Sequence, residues 1–87
     1  GREEAAETVP GSTAAAITGM TWARGLLLIS TPPGFASAVA IRIDRAGRYE
    51  IAGTVAGDDT ILLIPRDNIS NEAVEGCLRT IFQSEIK

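Results

Sequence analysis

Two four-residue stretches, LLLI at residues 26–29 and ILLI at residues 61–64, constrain this 87-residue chain more than anything else in it. Each is apolar at every position. Thr31-Pro32-Pro33-Gly34 stops the first and Pro65 the second. Both are short and bounded by turn formers, so they read as strands. A strand with one wet face alternates, and these do not, so both faces of their sheet ask for burial. A chain of this size buries only about 60–65% of the surface it exposes when unfolded. It has nothing left to cover the second face. The expectation is therefore a homo-oligomer in which another subunit covers it.

The remaining elements follow from period and punctuation. Ala16, Thr18, Met20 and Trp22 alternate with Ile17, Gly19 and Thr21, which predicts a strand over residues 16–22, with a turn at Ala23-Arg24-Gly25. Each proline makes the residue before it extended, so a helix begins no earlier than Pro33. Ala36, Val39, Ala40 and Ile43 make its buried stripe, Ser37, Ile41 and Asp44 lie on its flank, and Gly47 ends it. Residues 51–55 and 60–64 read as strands joined at residues 56–59. Ser70 is a helix N-cap. Beyond it, Ala73, Val74, Cys77, Leu78, Ile81 and Phe82 recur in adjacent pairs, which is a helical stripe. The fold class is then α+β, β-β-α-β-β-α, a two-layer domain with two helices on one face of a four-stranded sheet.

Residues 1–14 are polar and turn-prone, and they read as a linker or remnant ahead of the folded domain at residues 15–87. The first residue is not Met, so the chain is expected to be a piece of something longer. A net charge of −3 argues against this piece binding nucleic acid and suits a cationic ligand or a protein partner. With no histidine, the commonest metal ligand and general base is missing, and most hydrolase and zinc-site readings fall. A single cysteine allows no internal disulfide, and no apolar run is long enough to span a membrane. A cytoplasmic location is the natural expectation. Cys77 and Trp22 read as packing residues, and Glu72 and Glu75 as solvated surface. Arg42, Arg45 and Arg48 are surface, or partners for Asp44 or a neighbouring subunit.

Asp58 and Asp59 are the anomaly. They sit together in GTVAGDDTILL (residues 53–63) with no Lys or Arg within six positions on either side. The plain reading is turn chemistry, since Gly57 tolerates positive φ and Asp bonds back to nearby backbone. Yet adjacent carboxylates repel unless water or a cation comes between them. A divalent metal is one such cation. The G-D-D turn of viral RNA-dependent RNA polymerases is another reading, but it needs a far longer chain and a basic template channel. An organic cation is the third. A guanidinium presents parallel N–H groups to one carboxylate, and the second can hold an α-ammonium.

These residues resemble the C-terminal domain of bacterial arginine repressors over most of the chain, from about Ile17 to about Phe82. TPPGFA (residues 31–36) is similar to that family's T-x-P-G-x-A, and GTVAGDDTILLI (residues 53–64) to G-T-[IV]-A-G-D-D-T-I. Asp44 falls where the family has an Asp ending its first helix. The resemblance implies trimers paired as hexamers, with L-arginine bound as corepressor at the trimer–trimer interface. It implies a regulator and not an enzyme, with no other cofactor and no metal. Contact with DNA would come only through an N-terminal winged helix-turn-helix, which this chain lacks. Carried over, the ligand-binding residues are Asp58 and Asp59 on the charged groups, with Asp44, Ser37, Ala36, Thr54 and Ala56 lining the site. The chain departs from the pattern twice. Ser37 stands where many members have Gln, and residues 44–53 are one residue shorter than in some. Arginine is the implied ligand, and ornithine or a related amino acid is the alternative. The rival from a different class is an assembly module that takes no ligand.

Overall fold

The computed structural model describes residues 16–86, so the linker expected at residues 1–14 lies outside the described residues. The element order is β1 (Gly19–Ala23), β2 (Leu26–Ser30), α1 (Ala36–Ala46), β3 (Ile51–Ala56), β4 (Thr60–Pro65) and α2 (Asn71–Ile86). The strands form one antiparallel sheet in the order β1-β2-β4-β3. This is the β-β-α-β-β-α, α+β arrangement read from the sequence. Because β4 runs antiparallel to both of its neighbours, β2 and β3 point the same way. A tight turn cannot join such strands, and α1 makes the crossover.

Local chemistry sets the breaks. Between β1 and β2, Arg24 and Gly25 both have positive φ, at 55° and 79°, as a two-residue hairpin matched to strand twist requires. Gly47 closes α1 in the left-handed conformation and donates its N–H to the Asp44 carbonyl. At the start of α2 the Ser70 hydroxyl accepts from the Ala73 N–H at 3.1 Å, which satisfies one of the unpaired first-turn donors. The β3–β4 register slips between Ile51 and Gly53, a bulge whose one sequence signal is the glycine inside the strand.

Cross-strand partners share a face, so the register shows where the core lies. Leu27 pairs with Leu63 and Ile29 with Ile61, and all four are 0% exposed. Against them pack Ala36, Val39, Ala40 and Ile43 of α1 and Val74, Cys77, Leu78, Ile81 and Phe82 of α2. The opposite face carries the alternate residues. Leu28 pairs with Leu62, and Leu62 with Val55. Leu28 and Ile64 are each 36% exposed and Val55 61%. The apolar runs therefore do alternate in burial. Among the described residues of one chain their outward side chains have no second layer.

Two local expectations change. The first strand starts at Gly19 rather than at residue 16, because Gly19 pairs with Ser30 and β2 has no residues beyond Ser30 to pair with. Ala16 is instead a core residue ahead of the strand, 4% exposed. Glu75 is half-buried, and it accepts a 2.7 Å hydrogen bond from Trp22 Nε1–H, tying α2 to the edge strand. Arg48, read as surface or as a partner for Asp44 or a neighbouring subunit, is partly exposed and faces Glu50 at 3.7 Å.

Gly76 is tolerated inside α2 at a cost. A Cβ there would meet nothing nearer than the tip of Arg79 at 4.0 Å. Gly76→Ala is thus expected to stabilise the fold by up to about 1 kcal/mol. Thermal melting checks this, with a rise of about 4–8 °C per kcal/mol for a domain of this size.

Candidate functional site

The acidic turn is held by its main chain. Gly57 N–H donates to the Thr60 carbonyl at 2.8 Å and closes the β3–β4 hairpin. The loop after β2 grips the same turn from the side. Thr31 N–H donates to the Asp59 carbonyl at 2.9 Å, and Gly34 N–H donates to the Asp58 carbonyl at 2.9 Å. Ala36 N–H, at the first turn of α1, reaches that Asp58 carbonyl at 3.4 Å.

The proline pair gives this grip its economy. Pro32 and Pro33 have no N–H, so Thr31 and Gly34 hold the only main-chain donors of the Thr31-Pro32-Pro33-Gly34 segment. Both donors are used on the two aspartates. Thr31 is buried, 6% exposed, and its hydroxyl donates to the Pro32 carbonyl at 2.9 Å. The two motifs singled out in the sequence are thus one structural unit, joined by hydrogen bonds. Sequence reasoning missed this clamp. The available signal was the spacing of two donors around two residues that cannot donate.

With the carbonyls occupied, the side chains remain. Asp58 and Asp59 are exposed. Asp59 Oδ1 accepts a 3.0 Å hydrogen bond from the Thr60 hydroxyl, which orients one carboxylate. Among the described residues neither aspartate forms an ion pair with a basic side chain. Nor does any group of three or more His, Cys, Asp or Glu converge there in a way that could hold a metal ion.

The other candidates lie along the seam between α1 and β3. Asp44 Oδ1 accepts from the Thr54 hydroxyl at 2.9 Å, fixing the end of α1 to β3. Ala56 ends β3 next to the turn and packs against the core. Ser37 is exposed in the first turn of α1. It lies about 10 Å along the helix from Asp44 at a rise of 1.5 Å per residue. Ala36 is 0% exposed, so its side chain belongs to the core and its N–H to the clamp. Ile41, 48% exposed, stands between Ser37 and Asp44 on the same flank. Among the described residues a single chain forms no pocket, so this strip is an open surface.

At the other end of the sheet a second set of groups is internally satisfied. Arg66 Nε–H donates to the Tyr49 carbonyl at 2.7 Å, and its guanidinium lies 4.7 Å from the centre of the Tyr49 ring. A backbone hydrogen bond holds the Glu50 carboxyl below its ordinary value, with the Cys77 thiol adding to the effect. Burial pushes that thiol up, and Glu50 reinforces the shift. Cys77, 2% exposed, is the packing residue expected.

Comparison with known proteins fits this geometry. Residues 13–80 match the family model described as the arginine repressor, C-terminal domain. Three curated relatives carry the name arginine repressor. The one from Solibacter usitatus is 40% identical over 63 residues, covering 72% of this chain and 43% of that protein. The one from Parabacteroides distasonis is 47% identical over 53 residues, covering 61% and 36%. The one from Thermus thermophilus is 48% identical over 50 residues, covering 58% and 30%. The chain thus matches less than half the length of each. The family match includes both the proline loop and the acidic turn that it clamps, together with the strands and helices that carry them, and the chain belongs to the arginine repressor C-terminal domain family.

Proposed function

We propose that this domain senses L-arginine and assembles the regulator to which it belongs, a transcriptional repressor of arginine metabolism in the cytoplasm. One observation carries the reading. Two exposed carboxylates sit on a turn whose backbone is tied down, with no basic partner among the described residues. Such a pair is preorganised for a ligand bearing a guanidinium and an ammonium. A guanidinium matches a carboxylate through two parallel N–H···O bonds.

The open strip supports the second half of the reading. A small ligand bound tightly is enclosed on most sides, and one chain offers a single wall. A facing copy supplies the other. The domain then makes trimers through its exposed apolar sheet face, and two trimers meet with arginine between them. Without ligand, like charges face each other across that junction. With it, the aspartates are neutralised and the trimers bridged. Only a ligand with higher affinity for the assembled state shifts the equilibrium, by about 1–3 kcal/mol for a typical coupling. The hexamer would present several DNA-binding heads together and raise their effective concentration on neighbouring operator sites. Arginine acts as corepressor, and no bond is made or broken.

Calorimetric titration with L-arginine, L-ornithine and L-lysine tests this. The expected order places arginine first, because an ammonium cannot make the two-point contact. No heat with any of the three at millimolar concentration would favour a ligand-independent assembly module. Position 37 provides a finer test. Ser37→Gln is expected to tighten arginine binding by a few-fold, since the longer amide reaches further from the first turn of α1. Unchanged affinity would show that position 37 does not reach the ligand.

A further inference from the structure

The peptide group between Ser30 and Thr31 serves two elements at once. Its carbonyl, on Ser30, accepts a 2.8 Å hydrogen bond from Thr18 N–H. Its N–H, on Thr31, donates to the Asp59 carbonyl at 2.9 Å. A trans peptide is a rigid plane with these two groups on opposite edges, and no peptide in the described chain is cis. One plane therefore spans from the acidic turn to the residue just before β1.

Its position makes the link more than an ordinary rung of the sheet. It is the last peptide of β2, and beyond it the chain leaves the sheet through Pro32 and Pro33, which bring no further donor. Thr18 lies outside the strand proper, so its bond to Ser30 fastens the lead into β1 at that end. Ala16 and Ile17, just before it, pack on the core. On the far side, the turn residue receiving the bond is Asp59 itself.

We propose that the Ser30–Thr31 peptide group couples the acidic turn to residues 16–18, so that a ligand which stiffens the turn also stiffens the point where the chain enters the sheet. Hydrogen bonds in a chain polarise and orient one another, so loss of one loosens the next. The ligand half of the statement rests on the reading of the turn as the arginine site. The coupling itself does not. The chain preceding β1 would then receive the ligand signal without any ligand contact of its own.

Backbone amide exchange, followed by NMR on the whole chain, tests both halves. In the unsubstituted protein without ligand, Thr18 and Thr31 amides are expected to show protection within about threefold of each other, because they open together. A difference above about tenfold would overturn the coupling. Thr18→Pro removes the donor and Thr18→Ala keeps it. The proline variant is expected to speed Thr31 exchange by about fivefold or more relative to the alanine variant, and equal rates would overturn the proposal. Added L-arginine is then expected to slow both amides. Slowing of Thr31 alone would overturn the coupling and leave the binding reading intact. If neither amide responds to arginine while the ligand-free linkage holds, the coupling stands and the arginine reading fails.

Discussion

Leu28→Glu is expected to leave this domain folded and monomeric. Leu28 lies on the sheet face away from the helices, between Thr21 of β1 and Leu62 of β4, with Val55 of β3 completing the row. It is 36% exposed in the single chain, so a carboxylate there keeps its water, and the cost to folding stays near the ±0.5 kcal/mol typical of surface changes. If another copy covers that row, the same carboxylate is buried without a partner. Breaking the balance of buried charge in this way costs about 3–5 kcal/mol. An interface of ordinary size does not survive such a loss at each symmetric copy. Circular dichroism is expected to report an unchanged fold, and sedimentation velocity a single small species at concentrations where the unsubstituted chain associates. Assembly that persists in Leu28→Glu would locate the subunit contact elsewhere.

Asp58→Asn and Asp59→Asn are expected to separate ligand response from fold. Asparagine keeps the shape and removes the charge. The bonds that hold the turn pass through the carbonyls of residues 58 and 59, so the clamp from Thr31 and Gly34 is untouched. In the Asp59→Asn variant the side-chain amide oxygen can still accept from the Thr60 hydroxyl. Stability is therefore expected to stay within about 0.5 kcal/mol of the unsubstituted chain. Affinity for arginine is another matter. A hydrogen bond to a charged group contributes about 1.5–3 kcal/mol, so each substitution is expected to weaken binding by roughly ten- to hundredfold. Arginine-driven growth beyond the starting oligomer disappears with it. If either variant also loses that starting oligomer, the turn is a structural contact and not a sensor.

Much of this fold is legible in the sequence, for identifiable reasons. The helix stripes are written in adjacent apolar pairs, and most turns carry a Gly or Pro whose backbone geometry admits few alternatives; the exception is the loop at residues 66–70, where Asn68 takes the positive φ. The limits are equally physical. Residues 16–22 alternate well, yet a strand extends only as far as its neighbour does, and β2 ends at Ser30. Gly53 marks where the bulge in β3 falls, but the slip itself depends on how two strands meet, which neither records alone. The run from Leu26 to Ile29 asks for burial on both sides, and only one side is met among the described residues of the chain. The site divides the same way. Asp58 and Asp59 stand out because unpaired charge is rare in such a setting. Their clamp uses main-chain donors, which every residue but proline has, so only the prolines hint at it. The bond from Trp22 to Glu75 joins residues 53 apart, and no spacing rule reaches that far.

The proposed sensor stands or falls on a cationic amino acid held at the acidic turn between copies of the chain. A crystal structure grown with L-arginine tests it most directly. Electron density for the amino acid is expected, with its guanidinium or ammonium on the carboxylates of Asp58 and Asp59 and a second copy closing the site. A turn facing only solvent, or engaged by a basic side chain of its own fold while arginine is in excess, would contradict it.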